Sequence, residues 1–445
     1  MLWVRVRDSL WFVPTILTVF GALLAVTLVQ MERQAVIPWT AEDDQWLLAG
    51  DADGSRQLLS AIVGGLMTVT GVAFSVTIVA LQLASSQFTP RVLRNFTADR
   101  WNQVVLGVLI GTFTYAMLVL RGIRSAGPGA EEFVPRVAVT VGVALTLISI
   151  GWLIYFINHV ASSMRIAFIL DRVTGETLRH IRHYYSRPYD PDLDKTFVGA
   201  RPVPEDAYVI ANIEAGYLQA VDGVALTRLA ERHRLHIEMA CKAGEFLLAD
   251  QALAYVRPAD SVDDTVAESI REAFVVGQER TPEQDVEFGI IEIADIAVKA
   301  LSPGINDPTT AIQCIDRLSQ ILRELGCRSP AWPERSEQGR GRFTPCFLEF
   351  ERALGLAFDQ IRHFGASNPR IAKKLVDSLA ILIGVLPPQR HAALIEQAHA
   401  VLEDARNSTT ACTPGRELQR LEQEFQRVCQ AAGTSTHGRV RKCPR

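Results

Sequence analysis

Between Gln57 and Pro90 the chain runs for 34 residues without an Asp, Glu, Lys, Arg or His. That excludes an ordinary surface helix, which turns a charged face to water. Charge is equally absent from Ser9–Met31, Trp101–Leu120 and Val137–Asn158. Each stretch is long enough to cross a hydrocarbon core of about 30 Å. Cysteine is scarce as well: the seven present all follow residue 240 and form no C-x-x-C pair, which removes a zinc knuckle and favours free thiols in a reducing compartment. There is no G-x-G-x-x-G after a strand, no G-x-x-x-x-G-K-S/T, no H-E-x-x-H and no G-x-S-x-G, so no catalytic residue is nominated and no cofactor is expected. The pairs His180/His183 and His233/His236 lack a third ligand at short spacing, and no metal is expected. Ten Arg balance ten acids in the first 159 residues, so the net charge of -4 belongs to the remainder. No basic face suits nucleic acid, which is not an expected partner.

What is present points to an integral membrane α-helical domain followed by a soluble α+β domain. Four transmembrane helices are expected within residues 1–160, at about 10–31, 58–88, 101–120 and 137–158. The first, preceded by Arg5 and Arg7, has too long an apolar run for a cleaved leader and reads as a retained signal anchor. Arg5, Arg7, Arg91, Arg94, Arg100, Arg165, Arg172 and Arg179 fall on one side, against Arg33, Arg56, Arg121, Arg124 and Arg136 on the other. That bias places both termini in the cytoplasm of a multi-pass inner-membrane protein.

The second apolar stretch is the most informative. Ala61, Gly64, Thr68, Gly71, Ser75, Ile78, Gln82 and Ser85 recur at steps of three and four, which lays a small, mildly polar stripe along one side of a helix. At about 1.5 Å per residue the stretch spans roughly 50 Å, so it crosses the bilayer and continues into water. Such a stripe faces protein or water in preference to lipid. Gly64, Thr68, Gly71, Ser75, Gln82 and Ser85 are therefore pathway or helix-packing residues.

Beyond residue 160 the pattern changes. Residues 161–186 read as a helical stalk and the proline-rich 187–206 as a linker. A small α+β domain follows over 207–327, with strands at Tyr208–Ile213 and Gly216–Val221, a helix capped by Asp222 over Gly223–Arg232, and a strand at Leu235–Ala240. From Leu235 to Val256 the turns at Gly244 and Asp250 suggest a compact half-barrel hairpin. It resembles the hairpins of lipoyl and biotinyl domains without their modified lysine, so no cofactor arm is implied. Thr281-Pro282-Glu283-Gln284 forms a capping box for a helix reaching Leu301, on which Asp285, Glu292 and Asp295 share a face. The turn Ser302–Thr310 then places Asp307 as cap and Pro308 as first residue of the next helix. Asp285, Glu292, Asp295, Asn306 and Asp307 are the candidate ligand-binding residues, set against a satisfied helix junction. A second linker at 328–342, a C-terminal helical bundle over 343–432 and a disordered tail at 433–445 complete the chain.

The run Ala73-Phe74-Ser75-Val76-Thr77-Ile78-Val79-Ala80-Leu81-Gln82, continuing to Arg91, the residues Arg280-Thr281, Gln284-Asp285 and Phe288-Gly289, and the run Ala300–Pro308 together resemble a bacterial family of predicted inner-membrane proteins catalogued as a domain of unknown function. The resemblance implies four transmembrane helices and a C-terminal cytoplasmic domain, and brings no activity or site residue with it. Four helices seldom enclose a pore unaided. The expectation is an oligomeric channel or passive conduit for ions or small solutes, lined by the second helix and regulated by the cytoplasmic domain. Its partners would be the lipid bilayer, further copies of the chain and a small ligand or ion. The alternative is a membrane-tethered ligand sensor or scaffold without transport.

Overall fold

The computed structural model describes residues 11–34, 51–87, 100–125, 132–163, 165–192, 206–330 and 342–408, with a few more between 419 and 430. It divides into two compact units, residues 1–168 and 169–445. The expected tail at 433–445, most of the linkers and residues 88–99 lie outside the described residues.

The first unit is built from α1 (Phe12–Arg33), α2 (Ala52–Gln87), α3 (Arg100–Gly122) and α4 (Arg136–Ser163). All four are long and apolar enough to span a membrane, which makes this a membrane protein with four candidate spans. Helix α3 is the central one, with Val105, Leu109, Tyr115, Ala116 and Val119 almost fully buried. It meets α1 through glycines. A Cβ on Gly21 would lie 2.5 Å from the Gly111 carbonyl oxygen, and one on Gly111 would lie 2.8 Å from that of Leu17. Only hydrogen fits at that backbone approach. Polar groups close one end: the Glu32 carboxylate accepts the N–H groups of Val137 and Ala138 at 3.1 and 2.8 Å, capping α4 from a neighbouring helix. The Ser149 hydroxyl donates to the Thr112 hydroxyl at 3.0 Å inside the bundle, a polar contact between α4 and α3.

In the second unit α5 (Ile166–Tyr184) belongs to the fold for all but its first three residues. The expected stalk is thus a packed element: Ile169, Leu170, Val173, Thr177, Leu178 and Ile181 are buried, and its ends pair through Arg317 with Asp171 and Arg182 with Glu324. Two small sheets follow. One has the order β2 (Tyr208–Ala211), β6 (Ala252–Arg257), β4 (His236–Met239), β9 (Arg342–Thr344), antiparallel except for the parallel β4–β9 pair. The other runs β5 (Phe246–Leu247), β3 (Gly216–Val221), β7 (Phe274–Gly277), all antiparallel. With α6 (Gly223–His233) and α7 (Asp264–Glu272) they enclose a core of Ile210, Leu218, Leu226, Leu235, Ile237, Leu253, Val256 and Ile270. Burying each large aliphatic side chain contributes about 1.5–3 kcal/mol.

The helices α8 (Val286–Ala300), α9 (Pro308–Gly326), α10 (Phe350–Gly365), α11 (Pro369–Val385) and α12 (His391–Ser408) then pack together. The stretches read as linkers carry pairing of their own. Arg187–Pro188 (β1) pairs with Arg328–Ser329 (β8), and β9 joins the first sheet. The chain after the second linker therefore contributes a strand to the sheet that precedes it.

Two local readings need correction. Helix α8 begins at Val286, not Pro282, because the Gln284 amide is taken by β3: it accepts the Val221 N–H at 2.9 Å and donates to the Val221 carbonyl at 3.1 Å. Asp285 becomes the cap and accepts the Phe288 N–H. Cysteine chemistry also differs. Cys241, Cys314 and Cys346 are free, whereas Cys327 is held in a disulfide, which takes away the cysteine argument for a reducing compartment.

Candidate functional site

In the first unit the stripe on α2 is uncovered. Gly64, Thr68, Gly71, Ser75 and Gln82 are exposed, and Cβ atoms added at Gly64 or Gly71 would meet nothing within 4 Å. Ser85 continues the helix backbone, with its side chain outside the described residues. The edge that packs into the bundle is Ala52, Leu59, Leu66, Ala73 and Ala80, each seven residues from the last. At 100° per residue, a step of two from Leu66 to Thr68 is about 200°, so the small polar stripe lies roughly opposite the buried edge. Packing of the stripe within its own bundle is therefore not what these residues do among the described elements.

The other outward faces differ in character. Helix α1 exposes Ile16, Val19, Phe20, Leu23 and Val26 with Thr15 and Thr27 among them, and α4 exposes Leu147, Ile148, Ile150, Ile154 and Ile157 with Ala144 and Gly151 among them, so both are mainly bulky and apolar as lipid contact favours. Helix α2 mixes exposed Met67, Val72 and Ile78 with its glycines and hydroxyls. The Thr68 hydroxyl donates to the Gly64 carbonyl at 3.0 Å, which leaves its oxygen free to accept. The Ser75 hydroxyl and Gln82 amide have no side-chain partner among the described residues.

The candidate ligand residues of the second unit are not brought together. Asp285 stands at the N-terminal end of α8, while Asn306 and Asp307 follow its C-terminal end, a separation of roughly 22 Å for 15 helical residues at about 1.5 Å each. Glu292 is buried and Asp295 half-buried on the turns between. Asn306 adopts a left-handed conformation with φ 48°, and Asp307 caps α9, accepting the Thr309 and Thr310 N–H groups at 3.0 and 3.1 Å and the Thr310 hydroxyl at 2.6 Å. The Thr310 hydroxyl and N–H groups hold the Asp307 carboxyl below its ordinary value. Its charge is spent on its own helix.

A site absent from the sequence reading forms where the β4–β5 turn meets the start of α8 and α10. Glu287, 4% exposed, receives three cations: Lys242 Nζ at 2.5 Å and Arg352 Nε at 2.7 Å on one carboxylate oxygen, and an Arg280 Nη at 3.3 Å on the other. Arg280 also grips buried Asp285, donating from Nε to Oδ2 and from the same Nη to Oδ1 at 3.1 Å. Burial pushes the Glu287 carboxyl up, but the bonds and charges of Arg352 and Lys242 outweigh it and hold it below the usual value. Asp285 goes the other way, raised by its burial in spite of Arg280. Gly244 sits against this pair at φ 86°, where an added Cβ would collide with the Asp285 carboxylate. Only glycine serves there.

Beside the cluster opens a cleft of about 650 Å³. Its walls carry Tyr217, Phe246, Tyr255 and Phe347 together with Glu238, Lys242, Glu245, Glu349 and Arg352. The signal for it in the sequence was partial: Arg280, Asp285 and the Gly244 turn stand out there, but Lys242 and Arg352 lie 45 and 65 residues from Glu287, and only the fold joins them.

A family described as "Predicted membrane protein (DUF2254)" matches residues 7–380. An uncharacterized protein of Mycobacterium tuberculosis and one of Mycobacterium bovis are each 31% identical over 408 residues, covering 90% of this chain and 76% of the relative. No solved structure matches.

Proposed function

We propose that this chain, which belongs to the DUF2254 family of predicted membrane proteins, works in the bacterial inner membrane with both termini cytoplasmic, as an oligomeric conduit for ions or small solutes lined by α2. The observation that carries the reading is the uncovered stripe Gly64, Thr68, Gly71, Ser75 and Gln82, opposite the buried edge of the same helix and longer than the isolated Thr or Gly positions on the faces of α1 and α4. Several copies arranged around an axis would shield that stripe from acyl chains. The glycines would allow close approach, and Ser75 and Gln82 would replace part of a solute's hydration. Four helices in one subunit do not enclose such a path, so assembly and conduction belong to a single reading.

Purified protein in planar bilayers is expected to pass current. A Ser75→Cys variant should lose that current when a charged methanethiosulfonate reagent reaches the introduced thiol. Silent bilayers with incorporation confirmed, or lipid-phase crosslinkers reacting at Thr68 and Ser75, would sink the conduit.

A further inference from the structure

We infer that the cleft between the β4–β5 turn and α10 binds an organic ammonium ion with an apolar or aromatic body. This inference is independent of the conduit, since every residue it uses belongs to the second unit. The cleft holds about 650 Å³, within the range of pockets that take small organic ligands.

Charge decides the ligand's sign. The three cations at the cleft, Lys242, Arg280 and Arg352, all spend themselves on Glu287, with Asp285 as a second acceptor for Arg280. Glu238 has Arg257 at 3.7 Å. Two further acids make no direct ion pair among the described residues: Glu245, whose carboxylate accepts the backbone N–H of Lys242 at 3.2 Å and acts through space on Arg352, and Glu349. Glu349 stands at the N-cap position of α10 but makes no capping bond, and its carboxylate has no side-chain partner among the described residues. The wall acids Glu238, Glu245, Glu287 and Glu349 outnumber the wall cations Lys242, Arg280 and Arg352 by four to three, and the flanking Asp285 and Arg257 cancel, so the net charge of the cleft is -1. A phosphate or other anion would face Glu245 and Glu349 and compete with Glu287 for the cations, whereas an ammonium ion meets Glu349 and Glu245 without displacing a hydrogen-bonded pair.

The aromatic groups supply the rest. Phe246 is 50% exposed at the cleft, although a large apolar side chain in water gains nothing from being there, and it meets the Tyr217 ring edge-on with centroids 5.0 Å apart. Tyr255 and Phe347 complete four rings, and the hydroxyls of Tyr217 and Tyr255 have no hydrogen-bond partner among the described residues. Aromatic rings beside carboxylates that make no direct ion pair attract ammonium through the ring quadrupole, and their bodies cover its alkyl groups.

The test is calorimetric titration of the full-length protein in nanodiscs with benzyltrimethylammonium chloride, with benzyl alcohol as neutral counterpart and inorganic phosphate as anion. Binding of the ammonium is expected, about tenfold weaker in both Glu349→Gln and Phe246→Leu, with no measurable heat from benzyl alcohol or phosphate. Glu349 makes no capping bond and Phe246 is exposed, so both variants should fold, which an unchanged thermal midpoint verifies. Equal affinity for benzyl alcohol, phosphate binding abolished by Arg352→Gln, or no ammonium binding by folded wild type would each overturn the assignment.

Discussion

Replacing Glu287 with Gln keeps the volume of the side chain and removes the one charge on which Lys242, Arg280 and Arg352 converge. Breaking a buried pair by removing one partner costs about 3–5 kcal/mol, because the remaining charge stays buried without compensation. Two features of this cluster pull the figure down. Arg352 is 54% exposed and regains water, and Arg280 keeps Asp285 as its partner. The loss should therefore sit near the lower bound, about 3 kcal/mol, carried chiefly by Lys242 at 19% exposure. Amide hydrogen exchange of the full chain in detergent reads this directly. At about 1.4 kcal/mol per tenfold, the slowest amides of α8 and α10 should exchange more than a hundredfold faster in Glu287→Gln. Arg352→Gln serves as the internal comparison and should cost no more than about 1 kcal/mol, since its guanidinium is more than half in water. Protection in Glu287→Gln within threefold of wild type, or a larger loss from Arg352→Gln, would refute the view that this carboxylate organises the region.

The same carboxyl sets a pH dependence. Its value in the folded chain lies below the ordinary 4.5, so its contribution is fully present above that pH and is lost as pH falls through the lower folded value; acid titration of stability should be shallower in Glu287→Gln than in wild type. Gly244→Ala should destabilise the second unit by more than the about 1 kcal/mol of an unfavourable backbone alone, because the added Cβ also collides with Asp285; a thermal midpoint equal to wild type would contradict this. Gly111→Leu should abolish monodisperse protein on size exclusion, since its Cβ alone lies 2.8 Å from the Leu17 carbonyl oxygen. Gly71→Leu has open space around it and should leave the thermal midpoint intact while shifting the particle to a smaller oligomer; an unchanged oligomer would remove α2 from the subunit contact.

The membrane half was legible because its signal is local. A charge-free run declares a span without knowledge of its neighbours, and α1 to α4 begin and end within a few residues of the expected bounds except at the start of α2 and the end of α4, which extend to Ala52 and Ser163. Strand periodicity and the caps at Asp222 and Asp307 are also local, and both carboxylates accept the helix N–H groups that their positions imply. The start of α8 was misread for a non-local reason: the residue meant to close its capping box, Gln284, is engaged by the backbone of Val221, 63 residues away. Likewise the proposed acid group failed to assemble because a shared helix face does not shorten the distance along the helix, whereas the cluster that does assemble draws Lys242 and Arg352 from elements on either side of α8.

The exposed stripe of α2 shows how far local reasoning reaches. Periodicity alone establishes that Gly64, Thr68, Gly71, Ser75 and Gln82 share an edge, but it assigns that edge equally to a neighbour in the same bundle, to another subunit or to water. Among the described residues Leu59, Leu66, Ala73 and Ala80 occupy the face toward the bundle, and the stripe has no neighbour there. What remains is another subunit, water or lipid, and the proposed conduit takes one of the first two, which several copies of the chain would supply. Particle mass therefore precedes conductance as a measurement. A strictly monomeric protein in native-like lipid at cellular abundance would end the conduit reading before any current is recorded.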